Sequence, residues 1–86
     1  MEKLGAFYTD SSNFIFIPND VISLKIFGNK KTKNGISVLY IQKFKTNWNI
    51  CVKTVNITDL TNSGFKEVKI KEVPKKLIEL LKLEIE

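Results

Sequence analysis

Apolar and polar residues alternate along most of this chain, as they do in β-strands. Two such runs, residues 4–9 and 14–17, flank a turn-rich segment at residues 10–13, and this arrangement predicts a hairpin. Residues 18–20, Pro-Asn-Asp, end the second run. The period of two over residues 22–26 predicts a third strand, because alternation places every apolar side chain on one face of a sheet.

The middle of the chain carries the two longest runs of strand-forming residues. Residues 36–45 and 48–57 are rich in β-branched and aromatic side chains, which favour strands. Polar segments at 28–35 and 59–64 separate these runs from their neighbours, and the first segment ends in Asn-Gly, a dipeptide typical of turns. The pattern predicts a long central hairpin between two loops.

The last third of the chain predicts one more strand and a helix. Val68 and Ile70 lie on one face of a strand over residues 65–71, and Pro74 suits the first turn of a helix, where its missing N–H costs nothing. Residues 82–86 fit either a continued helix or a short strand. The predicted fold class is α+β: a β-rich antiparallel sheet of five or six strands with one C-terminal helix, in a single small domain over residues 1–86.

The C-terminal helix also predicts an oligomeric state. If it continued to the end of the chain, it would be apolar around well over half of its circumference, and a sheet covers only one side of a helix. The remaining apolar surface would need a partner, so we expect a homodimer formed through this helix. Its apolar residues are Leu77, Ile78, Leu80, Leu81, Leu83 and Ile85.

Composition excludes most catalytic chemistry. The 86 residues include no His and a single Cys, Cys51, so the commonest general base and a cluster of zinc ligands are both lacking. Glycine-rich phosphate-binding motifs do not occur in the sequence either. We expect a protein that is not an enzyme and takes no cofactor, metal or small-molecule substrate. Cys51 is expected to be a packed residue of a strand.

Two further features bear on location. No apolar run in the sequence is long enough to span a membrane, and the N-terminus lacks the basic-then-apolar order of a signal peptide. We therefore expect an intracellular, cytoplasmic protein without membrane contact.

Positive charge is concentrated in the centre of the chain. All fourteen basic residues are Lys, and the net charge is +5. Residues 21–58 contain seven Lys and no acidic residue, whereas residues 1–20 sum to −2 and residues 59–86 to zero. A one-sided positive field of this kind attracts a polyanion. The seven lysines are Lys25, Lys30, Lys31, Lys33, Lys43, Lys45 and Lys53.

The register of the central hairpin decides where its three lysines, at positions 43, 45 and 53, point. A three-residue turn at 46–48 would place all three on one face, and a two-residue turn would mix lysines with large apolar residues. Segregation of apolar residues therefore favours the three-residue turn. Trp48 then lies at the hairpin tip, where it either stacks on a base or folds back to cap the edge of the core.

Lysines beside an exposed aromatic ring suit single-stranded nucleic acid, because ammonium groups bind phosphates while bases stack on the ring. The predicted function is a small non-enzymatic nucleic-acid-binding protein that prefers single strands and contacts them with the seven lysines and Trp48. The alternative is a protein-interaction module, such as a small viral or plasmid-encoded modulator. Such a module would dock on an acidic partner surface or add a strand to a sheet.

Residues 64–81, Gly-Phe-Lys-Glu-Val-Lys-Ile-Lys-Glu-Val-Pro-Lys-Lys-Leu-Ile-Glu-Leu-Leu, combine a glycine, a short strand and a Leu-rich helix. Together with the strands expected from residue 21 onward, this order resembles the family of the transcriptional positive cofactor four. The resemblance implies a dimer that binds single-stranded DNA on its curved sheets, with the helices at the dimer interface. It is one of architecture, and no site residue is carried over.

Overall fold

Five antiparallel strands form one sheet in the computed structural model, which describes residues 4–28 and 35–85, with side chains up to residue 81. The order of strands across the sheet is β4-β3-β2-β1-β5. These strands are β1 (Gly5–Thr9), β2 (Asn13–Pro18), β3 (Ile36–Phe44), β4 (Asn47–Val55) and β5 (Lys66–Val68). The predicted α+β class and its antiparallel sheet are confirmed, although the described residues hold three α-helices rather than one.

The first hairpin forms as predicted, and Asp10 organises its turn. The Asp10 carboxylate accepts hydrogen bonds from the backbone N–H groups of Asn13 at 2.8 Å and Ser12 at 3.2 Å. These bonds satisfy backbone donors that the turn leaves without a ladder partner. Phe7 and Phe16 then face each other across the two strands, with ring centroids 4.8 Å apart.

The strand predicted over residues 22–26 is wrong, because this segment belongs to helix α1 (Asp20–Phe27). The helix begins after Asn19, whose side-chain oxygen accepts a hydrogen bond from the Ile22 N–H at 3.0 Å. It ends at Gly28, which adopts a φ of +71° that favours glycine. Ile22 and Ile26 are four residues apart, so they would share one face in a helix as well as in a strand. The helix-ending residues Asn19 and Gly28 therefore decide between the two.

A second short helix replaces part of the loop predicted at 59–64. Helix α2 (Ile57–Asn62) begins after Asn56, whose side chain accepts a hydrogen bond from the Thr58 N–H at 2.9 Å. It buries Leu60 against the sheet. The loop predicted at 28–35 is described only at its two ends, so residues 29–34 of that prediction lie outside the described residues.

The C-terminal part keeps the predicted order with shorter elements. The strand expected over residues 65–71 divides into β5 and a 3₁₀ turn at Ile70–Glu72. Helix α3 (Lys75–Ile85) follows Pro74, whose carbonyl oxygen accepts from the N–H groups of Leu77 and Ile78. The helix continues to Ile85, so the helical alternative for the last residues is correct up to that position.

The sheet is covered unequally on its two faces. On one face α1 and α3 pack over a buried cluster, and this is called the helix-covered face. Its buried residues are Phe7, Phe16, Leu39, Ile41, Val73, Leu77 and Leu81. On the opposite face a smaller cluster contains Ile15, Val38, Leu60 and Phe65. None of the helices in the described ranges has the length and apolarity needed to cross a lipid bilayer.

The observed topology does not match the architecture of the cofactor family. Residues 22–26 are helical, and β5 pairs with β1 at the far edge of the sheet rather than with β4. The described part of residues 21–83 therefore lacks the four consecutive antiparallel strands on which the resemblance was based, and that expectation is wrong.

Candidate nucleic-acid interface

The turn of the central hairpin fixes which side chains share a face. Phe44 pairs with Asn47 and Lys43 pairs with Trp48, so the loop contains only Lys45 and Thr46. The predicted three-residue turn is therefore wrong, and every side chain of β4 lies on the face opposite to the one expected. Segregation of apolar residues misled because both faces of this sheet are partly buried, so neither strand needs a purely polar side.

The corrected register separates the lysines that were expected to form one basic face. Lys43 lies on the helix-covered face beside Trp48, Lys53 lies on the opposite face, and Lys45 occupies the turn. Lys25 is exposed on α1, on the helix-covered side of the sheet. Three further candidates, Lys30, Lys31 and Lys33, lie outside the described residues.

Trp48 packs on the edge of the core instead of standing free at the tip. Its ring meets Phe14 edge-on, with centroids 5.9 Å apart, and the Lys43 ammonium nitrogen lies 5.7 Å from the ring centroid. The side chain is half-buried against the cluster of the helix-covered face. Of the two alternatives for Trp48, the structure matches the one in which it caps the core.

The opposite side of the hairpin is exposed near its tip, and we call this surface the open face. Helix α2 and Phe65 cover the other end of the same face, where they pack around Val38 and Ile15. Phe44 is 63% exposed although it is a large aromatic residue. The open face consists of Tyr40, Gln42, Phe44, Asn47, Asn49, Cys51 and Lys53.

Each aromatic residue of the open face has a lysine beside it. The Lys53 nitrogen lies 4.3 Å from the centroid of the Tyr40 ring, and the Lys45 nitrogen lies 5.9 Å from that of Phe44. Both distances fall within the range of cation–π attraction. Tyr40 is held in place by an edge-on contact with Phe65, at a centroid distance of 6.4 Å. The arrangement keeps two ammonium groups next to two ring faces.

The two aromatic residues are spaced along one strand. Tyr40 and Phe44 are four positions apart on β3, which corresponds to ~14 Å at about 3.4 Å per residue. Exposed amide side chains lie around Phe44, from Gln42 on β3 and from Asn47 and Asn49 on β4. Amides both donate and accept hydrogen bonds, so they match the mixed edges of nucleobases. The hairpin contains no acidic residue that would repel phosphate.

Cys51 differs from its prediction. It is exposed near the middle of β4, on the open face, because the two-residue turn moves it out of the core. Among the described residues, no group of three or more His, Cys, Asp or Glu side chains is arranged to hold a metal ion.

Comparison of the chain with protein-family models, with curated proteins and with solved structures gives no match.

Tyr40, Phe44 and the three amides are the candidate contact residues that the sequence reasoning missed. The signal for them was present in the absence of acidic residues from 36 to 58, together with an aromatic residue next to the turn. The predicted three-residue turn placed the three hairpin lysines on the face opposite to Phe44 and hid that signal.

Proposed function

We propose that this protein is a small non-enzymatic protein that binds single-stranded nucleic acid on the open face of its central hairpin. The observation that carries the proposal is the pairing of Phe44 with Lys45 and of Tyr40 with Lys53 on a surface without acidic side chains. Phosphate groups would bind the two ammonium groups, while unpaired bases would stack on the two rings. Trp48 and Lys43 act on the other face, where they stabilise the hairpin.

Single strands are favoured over duplexes because stacking on a side chain requires a free base face. In a duplex both faces of each base are already stacked, and only the phosphates remain available to lysine. A duplex would therefore gain the electrostatic part of the interaction without the contribution of Phe44 and Tyr40. The amides of Gln42, Asn47 and Asn49 would add hydrogen bonds to the edges of unpaired bases.

The number of lysines on the open face predicts the salt dependence. Two phosphate contacts, at Lys45 and Lys53, correspond to a slope of about −1.4 in a plot of log affinity against log salt for a single strand. The affinity should then fall about sevenfold between ~50 and ~200 mM salt. This salt dependence is shallow, because only two phosphate contacts are made. A steeper slope would instead indicate that more lysines of this protein of net charge +5 bind phosphate.

The test is the fluorescence anisotropy of a labelled oligothymidylate of about 12 nucleotides, titrated at several salt concentrations. Replacing Lys53 with Gln should weaken binding and make the slope shallower by about 0.7, because one phosphate contact is lost. The matched control is Lys66→Gln, which makes the same charge change on β5, four strand spacings or ~19 Å from β4. Equal effects of the two variants, or no binding at low salt, would contradict the proposal.

The homodimer through α3 also stays a prediction. Leu77 and Leu81 are fully buried within one chain, and Ile78 and Leu80 are half-buried, so most of the described apolar stripe already packs on the sheet. Leu83 and Ile85 lie outside the described side chains. Sedimentation velocity of the full chain, compared with a Leu80→Glu variant, tests the prediction. A dimer that dissociates in the variant supports it, and a monomeric parent contradicts it.

A further inference from the structure

The outer edge of β4 is open along its length in the described structure. β4 is the last strand on its side of the sheet, and no described strand pairs with its outer edge. Hydrogen-bonded and non-hydrogen-bonded pairs alternate along an antiparallel ladder, and the pair that closes a two-residue loop is hydrogen-bonded. We therefore expect the backbone groups of Ile50 and Val52 to point away from β3, where they are free to pair with another extended segment.

A groove with both polar and apolar lining runs beside this edge, between α1 and β4. It has a volume of about 320 Å³ and is lined by Lys25, Ile26, Leu39, Ile50, Cys51 and Val52. This volume is at the lower end of the range for ligand sites and suits side chains of a peptide. Val52 is 59% exposed at the groove, and Val21, one turn before Lys25 on α1, is 67% exposed. The chain thus exposes apolar surface next to unpaired strand backbone.

The charges around the groove select the kind of segment that would bind there. Lys25 lines the groove itself, and Lys53 projects from β4 on the other face of the same edge. No acidic residue occurs between residues 21 and 58, which include all of α1 after its first residue and both strands of the hairpin. Two lysines near this edge, without a neighbouring acidic residue in the same stretch of sequence, are complementary to an acidic partner.

We propose that the β4 edge binds an acidic, extended segment of a partner protein by strand addition. The segment would continue the sheet through backbone hydrogen bonds to β4 and place an apolar side chain in the groove against Val52. Acidic side chains of the segment would lie near Lys25 on one face and Lys53 on the other. Its backbone contacts use the strand edge and its apolar contact uses the helix-covered side, and Lys53 is the residue that it shares with the proposed nucleic-acid binding on the open face.

A second copy of this chain is the rival occupant of the edge. Antiparallel pairing of two β4 strands about Cys51 would place Ile50 opposite Val52 of the other copy. Each copy carries a net charge of +5, and both would bring Lys25 and Lys53 to the same junction. Electrostatic repulsion therefore disfavours self-pairing relative to an acidic segment.

The experiment uses the full chain and a displayed library of random peptides of about ten residues, a length typical of a long strand. Peptides retained by the immobilised protein are sequenced, and the most enriched one is synthesised with a fluorescent label for anisotropy. We expect enriched peptides to combine at least one apolar residue with acidic residues on both faces of the extended strand. The variants Val52→Glu and Lys25→Glu should each weaken binding by about fivefold or more, whereas a residue outside the groove should have little effect.

Two matched controls keep this test specific. Ile57→Glu introduces the same acid at an exposed apolar residue of α2, and Lys66→Glu makes the same charge reversal on β5. Weakening by the groove variants alone supports the proposal. Failure to enrich acidic peptides, or equal weakening by the control variants, would overturn it. A different result would also overturn it: the protein sediments as a dimer, Val52→Glu makes it monomeric, and oxidation cross-links the dimer through Cys51. The edge would then belong to a second copy of the chain.

Discussion

A pair of alanine substitutions separates the role of exposed Phe44 from that of half-buried Trp48. Phe44→Ala should weaken binding of a single-stranded oligonucleotide and leave the fold intact, because the ring is exposed on the open face. Trp48→Ala should instead destabilise the protein, because its ring packs against Phe14 and the core of the helix-covered face. Each variant therefore serves as the control for the other.

The expected magnitudes follow from burial. Phe44 has 63% of its surface exposed, so truncation removes only a little over a third of a burial contribution of about 1.5–3 kcal/mol, which is roughly 1 kcal/mol or less. Loss of one stacked base costs about 1–3 kcal/mol in binding, or ~5- to 150-fold in Kd. For half-buried Trp48 we expect roughly 2 kcal/mol of lost stability, below the 3–5 kcal/mol of a fully buried aromatic residue.

Two assays on the same samples measure these effects. Urea unfolding monitored by far-UV circular dichroism gives the free energy of unfolding of each variant, and anisotropy of a labelled oligothymidylate gives Kd. Binding by the Trp48 variant is measured where its unfolding curve shows that it is folded. The reasoning is refuted if Phe44→Ala binds as tightly as the parent, or if Trp48→Ala abolishes binding while its unfolding curve is unchanged.

Three further substitutions test the fold, the first of them with a matched control. Leu77→Ala should lower the free energy of unfolding by about 3 kcal/mol because Leu77 is fully buried, while the exposed Leu24→Ala should cost less than about 1 kcal/mol in the same urea titration. Lys45→Gly should raise the thermal midpoint by ~4–8 °C, since Lys45 has a φ of +57° and relief of this conformation contributes about 1 kcal/mol; an unchanged midpoint would contradict that strain. The Asn13 N–H, together with the Ser12 N–H, lowers the pKa of Asp10 against the opposing effect of desolvation. Asp10→Ala should therefore be less stable than the parent at pH 7, which lies above the unfolded pKa of about 3.9. This difference in stability should disappear as the pH falls through the lowered pKa of the folded state. Urea titrations at pH 7 and ~2 measure it.

The strands that were correctly predicted are those whose signal is local. The first hairpin follows from two apolar runs around an Asp-Ser-Ser-Asn turn, and the Asp10 carboxylate closes this turn by accepting hydrogen bonds from the backbone N–H groups of Ser12 and Asn13. β3 and β4 follow from long β-branched runs, and α3 from a stripe of leucines after Pro74. Each of these elements can be recognised without knowledge of its tertiary partners.

The two missed helices show where periodicity fails. α1 has eight residues and α2 has six, so neither is long enough for its apolar residues to distinguish a period of 3.6 from a period of 2. The residues that fix them are Asn19 and Asn56, whose side chains accept hydrogen bonds from the first turn. Asparagine also occurs in turns, so Asn19 was interpreted as part of a break between strands, and Asn56 lay inside the strand predicted over residues 48–57.

The candidate site was predicted only in part, for a different reason: Lys45 and Lys53 were among the predicted residues, but which side chains share a face with them depends on a single residue of register. The length of the turn decides which face of the sheet each side chain of β4 lies on. The choice between the two turns depends on what covers each face. α2 and Phe65 partly cover one face and α1 and α3 cover the other, and neither arrangement can be read from the hairpin alone. The charge distribution was predictable, but the division of Lys43 and Lys53 between two faces was not.

The two proposed surfaces meet at Lys53, and this shared residue links them. Its ammonium group lies over Tyr40 on the open face, while its backbone belongs to the edge strand that the acidic segment would extend. A carboxylate placed beside Lys53 by that segment would neutralise one of the two positive groups that face the nucleic acid. Binding of the segment would therefore lower the affinity for the oligonucleotide. By thermodynamic linkage, binding of the oligonucleotide would lower the affinity for the segment by the same factor. An exposed hairpin with different chemistry on its face and on its edge can in this way bind two classes of partner and still make their binding mutually antagonistic.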